Sequence, residues 1–317
     1  MRSWGRGWGR SFFLLAGVLM AGVLTAGGVV RAASESEEVG PIMPHRIYDL
    51  KTGREISFEQ LLDRLESARV VVFGEEHDSR QGHLFELALL KGLHRRAGSG
   101  LVLSMEMLER DDRSTLAAYL AGLISELEFR DSARLWPNWL EDYRPMVEYA
   151  RENGLDVVAA NAPRPLASRA AREGIDHLFS NLAPGEEGHI FRPLRMEKGA
   201  YWERFRAVMS QGHPGAENAP EEVIWRFYQS QKVKDATMAA SILEALSRRG
   251  VRQVYHLTGR FHSDYYLGVV EEIWARQPDL PILTLTMVRS PDLSADPTEY
   301  EKRADFLVVV LPNQVQE

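Results

Sequence analysis

The sequence predicts an α/β fold: a mainly parallel sheet flanked by helices, with an all-helical insertion. Three observations predict it. Short apolar runs recur along the chain, each followed by a polar corner and then an amphipathic helical stretch, the order of a βαβ protein. The runs are apolar nearly throughout, as in parallel strands covered on both faces. The alternation lapses between about residues 175 and 250, where helical stretches are separated by Pro184-Gly185 and by Gly212-His213-Pro214-Gly215. A chain of 317 residues, 44% hydrophobic and 26% charged, has the composition of a soluble globular protein.

Residues 1–32 read as a signal peptide: Arg2, Arg6 and Arg10, the apolar stretch Phe12 to Leu24, and an exit at Val30-Arg31-Ala32. The apolar stretch is short of the ~20 residues a membrane span needs. Cleavage after Ala32 removes four arginines and takes the net charge from −7 to −11. A flexible leader is expected over residues 33–45, and the domain over 46–317. Arg46–Leu50 and Arg54–Ile56, joined through Lys51-Thr52-Gly53, form a small hairpin, and Ser57 with Gln60 forms a capping box that opens a helix. The strand runs are Val70–Phe73, Leu101–Leu103, Asp156–Ala159, Gln253–Leu257, Ile282–Leu285 and Phe306–Val310. The last helix of the insertion begins near Pro220, with Asn218 as a cap, and stops at Gly250. Asp235 falls in its apolar stripe, where a carboxylate needs a partner.

The composition excludes several chemistries. Without cysteine there is no disulfide, iron–sulfur cluster, thiol nucleophile or lipidated cysteine, and the acidic balance argues against a nucleic-acid partner. Ligands of parallel sheets bind beyond the carboxyl ends of the strands. Those ends carry Gly74-Glu75-Glu76-His77-Asp78, Met105-Glu106-Met107, Asn161-Ala162-Pro163-Arg164 and Gly259-Arg260-Phe261-His262. Two corners share the form Gly-x-x-His. The glycine permits a tight exit and the histidine lands near the next helix. With Glu75 and Glu106 close by, His77 and His262 are candidates for acid–base catalysis, and His77, Glu106 and His262 for a divalent metal. The competing reading is that these groups cap helices, as Asp78 and Asn161 could. His83 and His189 are candidate ligands that read better as solvated side chains, His45 reads as part of the leader, and His94 as late in a helix. Trp136, Trp139 and Tyr143 form an aromatic knot before the third strand. Tyr201, Trp202, Phe205, Trp225, Phe227 and Tyr228 form a second set in the insertion, either core or a lid over a flat ligand.

Taken in order, Val71–Asp78, Met105–Met107, Tyr143-Arg144-Pro145, Ala160–Arg164, Asp235–Ala239 and Gly259–His262 resemble the ChaN family of haem-binding uptake proteins in the Tiki superfamily. The resemblance runs from about His45 to Pro312. It implies an α/β sheet with a helical insertion and export to the periplasm of a Gram-negative bacterium. It also implies haem or a related tetrapyrrole as cofactor, a homodimer, and an outer-membrane haem uptake system as partner. A tyrosine assisted by histidine would hold the iron. Tyr201 is the first choice, then Tyr143 and Tyr228, with Arg144, Asn161, Arg164 and His262 lining the cofactor site. The alternative is a hydrolase using Glu75, His77, Glu106 and His262, with or without a divalent metal, as in enzymes of the wider superfamily. Two features depart from the family. The chain has no cysteine to lipidate, so a soluble exported protein is expected rather than a lipoprotein. Arg260-Phe261 stands where smaller or more polar residues are expected.

Overall fold

The computed structural model describes residues 43–212 and 219–313; the stretch read as a signal peptide and most of the expected leader lie outside them. The leading segment β1 (His45–Asp49) pairs antiparallel with β2 (Arg54–Glu55), the expected hairpin. The domain begins earlier than residue 46. Met43 is buried and His45 belongs to β1, with its ring edge-on to Phe85. Helix α1 (Phe58–Leu65) opens with the Ser57–Gln60 capping box, both reciprocal bonds being present.

The remaining strands are β3 (Val70–Glu75), β4 (Leu101–Glu109), β5 (Asp156–Asn161), β6 (Gln253–Gly259), β7 (Ile282–Arg289) and β8 (Phe306–Val310). All eight form one sheet in the order β2-β1-β8-β7-β3-β6-β4-β5. The pairs from β8 to β5 are parallel, and the hairpin edge is antiparallel. Between β3 and β4 runs α2 (Arg80–Ala97). Between β4 and β5 come α3 (Arg113–Leu120), α4 (Glu126–Ser132), a π-helical turn at Trp139–Tyr143 and α5 (Arg144–Glu152).

Side chains alternate across a strand, and here they feed two cores. Val71 and Phe73 pack with Leu103, Met105, Phe85 and Met146 on the face covered by α2 and α5; Val70 and Val72 pack with Val102 and Val254 on the other. The stretch after β5 is helical, as expected: α6 (Arg164–Glu173), α7 (Ile175–Ser180), α8 (Ala200–Gly212) and α9 (Glu221–Leu246). Helix α9 follows Pro220 but ends at Leu246, four residues before Gly250, and Asn218 lies outside the described residues. Its second half is no appendage. Met238, Ala239 and Ile242 cover the second face of the sheet together with α10 (Val269–Arg276). Its first half meets α8 in the aromatic set, in which Tyr201, Trp202 and Phe205 of α8 and Tyr228 of α9 are buried together. Among the described residues, no helix is long and apolar enough to cross a membrane.

The bottom of the sheet is tied by Gln253, whose buried amide donates to the carbonyls of Leu65 and Ala68, both at 2.9 Å. Gln253→Leu removes the side-chain donor from both carbonyls and leaves Leu65 only the Ala68 N–H at 3.1 Å. It should cost about 1–3 kcal/mol, read as a lower urea midpoint at unchanged slope.

Candidate functional site at the carboxyl ends of the strands

The strand ends do converge. A pocket of about 370 Å³ lies among His77, Glu106, Glu109, Trp136, Asn161, Arg164, Gln231, Lys234, Gly259, Phe261 and His262. Of the residues expected at the site, His77, Glu106, Asn161, Arg164 and His262 therefore meet here. Glu106 is not beyond its strand but inside β4. The pairing to β5 shifts from Met105↔Ala159 to Glu109↔Asn161, a bulge that re-aims this stretch. Arg164 is exposed at the rim, and its backbone N–H donates to Glu109 at 2.9 Å.

The two Gly-x-x-His corners fit into one another. A Cβ on Gly74 would lie 2.9 Å from Arg260 Cα, and one on Gly259 would lie 2.5 Å from His77 Nε2. Each glycine thus makes room for the opposite corner. This close approach, rather than a left-handed turn, is what requires glycine at both positions.

Glu75 and Glu106 point to opposite faces of the sheet. Under the α2 face, Glu75 Oε1 accepts from His77 Nδ1 at 2.6 Å and from the Tyr143 hydroxyl at 2.7 Å. Burial opposes ionisation of Glu75, but the hydrogen bond from His77 and the nearby His83 ring hold its carboxyl down at about 2. Burial works against protonation of His77 as well, and its hydrogen bond to Glu75 outweighs this and raises it. His77 lines the pocket with its Nε2 beside Gly259, another lining residue, and its ring meets Trp136 edge-on at 4.7 Å.

On the α9 face, Glu106 Oε2 accepts from the Thr258 hydroxyl at 2.6 Å and from the Gly259 N–H at 2.8 Å. His262 sits between two carboxylates, with Nε2 at 3.3 Å from Glu106 and Nδ1 at 2.5 Å from Asp235. The partner that Asp235 needed is His262, joined by the Tyr201 hydroxyl at 3.0 Å. Burial favours a neutral His262, yet Glu106 and Asp235 push it up to about 10. Glu106 is likewise opposed by burial and held well below the usual carboxylate range by His262.

The tyrosines sit elsewhere. Tyr143 is fully buried beneath His77, so the aromatic knot supports the site as well as the core. Tyr201 and Tyr228 are buried in the α8–α9 cluster. Burial, with Asp235 next to Tyr201, raises that phenol well above its ordinary value; burial raises Tyr228 as well. Arg144 pairs with Glu126 at 2.8 Å, away from the pocket lining. Asp78 and Asn161 cap no helix. Ser79 caps α2, and Asp78 pairs with Arg289 at 3.2 Å. Phe261, one of the two departures from the family pattern, is a pocket wall that packs on Tyr201 and beneath the Arg204 guanidinium.

Sequence reasoning missed His83 and Glu86. His83 was expected in solvent but is buried, and Glu86 is fully buried beside it. Burial lowers His83, but Glu86 and Asp142 outweigh it and push the ring up to about 10; burial and then Glu75 raise Glu86 well above its usual range. The available signal was a lone carboxylate in the apolar stretch Leu84-Phe85-Glu86-Leu87-Ala88-Leu89.

Fold and pocket define the class: an α/β protein with a polar pocket at the carboxyl edge of a mainly parallel sheet. The family model described as "Haem-binding uptake, Tiki superfamily, ChaN" matches residues 61–273, and the chain belongs to that family. It is similar in structure to ChaN of Campylobacter jejuni, solved with cofacial haem binding: 17% identity, 85% of this chain and 97% of that chain covered, TM-score 0.66. Similarity to an erythromycin esterase, EreC, in its open conformation is weaker, at 14% identity, 87% and 85% covered and a TM-score of 0.45. In sequence, 222 residues are 22% identical to RETICULATA-RELATED 5, chloroplastic, of Arabidopsis thaliana. The match covers 65% of this chain and 29% of that one, so the chain spans less than a third of that relative's length.

Two outcomes test this geometry. Gly74→Ala meets backbone and should cost about 1–3 kcal/mol, whereas Gly259→Ala meets only a ring tip and should shift the His77 NMR signals with a smaller loss. For His262, raised above its unfolded value of about 6.5, the stabilisation is complete below that pH and is lost as pH rises through about 10. The difference in urea midpoint between wild type and His262→Gln should therefore shrink from pH 6.5 to 10. A constant difference would mean a neutral ring.

Proposed function

We propose that the chain binds haem, or a related tetrapyrrole, in the strand-end pocket, with His77 as the iron ligand. One observation carries this reading. Glu75 orients the His77 ring through Nδ1 and leaves Nε2 toward the pocket, the tautomer that a carboxylate partner fixes in metal-ligating histidines. The donor set fits the group. Trp136 and Phe261 offer apolar walls to a flat ring, and Arg164 and Lys234 offer cations for carboxylates at its edge. Bound haem supplies an iron that takes an axial nitrogen or oxygen ligand.

Among the tyrosines, Tyr201 was the first candidate ligand. Its buried hydroxyl is committed to Asp235, and the negative charge there opposes the tyrosinate form. A supporting role through Asp235 and His262 suits it better. Titration of the purified protein with hemin should give a saturable Soret shift. His77→Ala should weaken it by tenfold or more, while Tyr201→Phe changes it little. A dominant loss in Tyr201→Phe would restore the tyrosine ligand, and no saturable shift in wild type would sink the reading.

The hydrolase alternative rests on Glu106 and His262 lying at the same pocket. Both are already engaged, Glu106 by Thr258, Gly259 and His262, and His262 by two carboxylates. A site whose acid and base neutralise one another is better suited to holding a ligand than to moving protons. An esterase and peptidase screen of wild type against His262→Ala tests it, and turnover lost in the variant would favour the enzyme.

Export to a Gram-negative periplasm as a soluble protein, and a place in outer-membrane haem uptake, are proposed with the haem reading on the family and on the arginine-rich, apolar start of the sequence. The protein recovered from the periplasm should begin near Ala33. Cofacial binding, described for the Campylobacter protein, carries over as a homodimer, which should form on adding hemin in size-exclusion chromatography.

A further inference from the structure

On the α2 face of the sheet lies a second polar cluster, which shares Glu75 with the haem reading and whose His83 and Glu86 that reading leaves unused. A carboxylate oxygen of Glu75, a ring nitrogen of His83 and a carboxylate oxygen of Glu86 lie within 4.8 Å of one another, all three residues being buried. Among the described residues, Glu75 Oε2, both ring nitrogens of His83 and both carboxylate oxygens of Glu86 have no hydrogen-bond partner. Buried polar groups are nearly always satisfied, so five orphaned atoms in one cluster point to a missing partner. A cation that accepts lone pairs from the two carboxylates and takes the place of the proton on the imidazole would answer all five.

We propose that Glu75, His83 and Glu86 bind one divalent first-row metal ion, such as Mn²⁺ or Zn²⁺. One imidazole and two carboxylates are the nitrogen and oxygen donors these ions take, and the two carboxylate charges balance the ion. His83 and Glu86 stand three residues apart on α2, so both project from one helix face. Glu75 faces them from the end of β3. Ligand bonds of about 2.0–2.2 Å would set the three donor atoms roughly 3–3.5 Å apart, a modest contraction reached by side-chain rotation. The outer shell is in place. His83 Nε2 is turned toward Glu75, 3.8 Å from its Oε1, while Nδ1 lies 3.2 Å from Asp142 Oδ1. Asp142 is itself fixed by Arg80 at 3.0 Å and by Asn138 at 2.9 Å. A carboxylate behind the ligating histidine sets its tautomer and orientation.

The site differs from the His77–Glu106–His262 set, and it stands whether or not haem binds above it. The test is elemental analysis of protein expressed with added Mn²⁺ or Zn²⁺ and then desalted. About one ion per chain is expected in wild type, and less than about a tenth of that in Glu86→Gln and in His83→Gln. Asp142→Asn should weaken Mn²⁺ affinity about 10–100-fold. Stripping the ion with EDTA should lower the thermal midpoint of wild type and leave that of Glu86→Gln unchanged. Glu86→Gln keeps the side-chain volume and removes a buried charge, so it reads the site without unfolding the chain. Metal-free wild type, or full occupancy retained in both variants, would overturn the proposal.

Discussion

Carboxylates at the ends of buried parallel strands are the constraint around which this molecule is built. A charge there is unstable unless donors or counter-charges meet it. Because the pleat sends Glu75 and Glu106 to opposite faces, no single partner can serve both. Glu75 draws His77, Tyr143 and the His83 side of α2 toward one face. Glu106 draws Thr258, the Gly259 amide and His262 on the other, and His262 in turn anchors Asp235 on α9. The long helix is thereby held to the sheet by an ionic contact near its middle and by Met238 and Ile242 further along.

The pocket forms at the edge between these two polar layers. His77 belongs to one layer and His262 to the other, and they differ in what remains available. His262 has both ring nitrogens engaged by carboxylates, which makes it a fixed cation in the wall. His77 has one nitrogen engaged and one turned to the pocket. Two residues that look equivalent as Gly-x-x-His in sequence are therefore unequal in chemistry, and the inequality comes from which face each one reaches.

Much of this was legible in the sequence because the informative patterns are local. Continuous Val and Leu runs marked the strands, Ser57 and Gln60 the first helix cap, and glycine followed by histidine the corners. The pairing need of Asp235 was also visible, since a carboxylate in an apolar helical stripe has few alternatives. What stayed hidden depends on contacts distant in sequence. The bulge that keeps Glu106 inside β4 is set by its pairing with β5. The burial of His83 and Glu86 follows from the turn of α2 against β3, which the mixed residues at the start of that helix do not announce. The phenols of Tyr143 and Tyr201 looked free as sequence motifs and are bound to carboxylates more than thirty residues away.

The interlocking glycines have a consequence for how the chain can vary. In the pairing of β3 with β6, Gly74 lies opposite Thr258 and Glu75 opposite Gly259. A slip of one residue would set side chains where each corner now admits the other, and it would exchange the faces of every residue along the slipped strand. The two glycines thus act as a register lock at the centre of the sheet. Neither corner can be rebuilt independently, so altered ligand preference is more readily reached through Phe261, Trp136 and the rim than through the paired histidine corners.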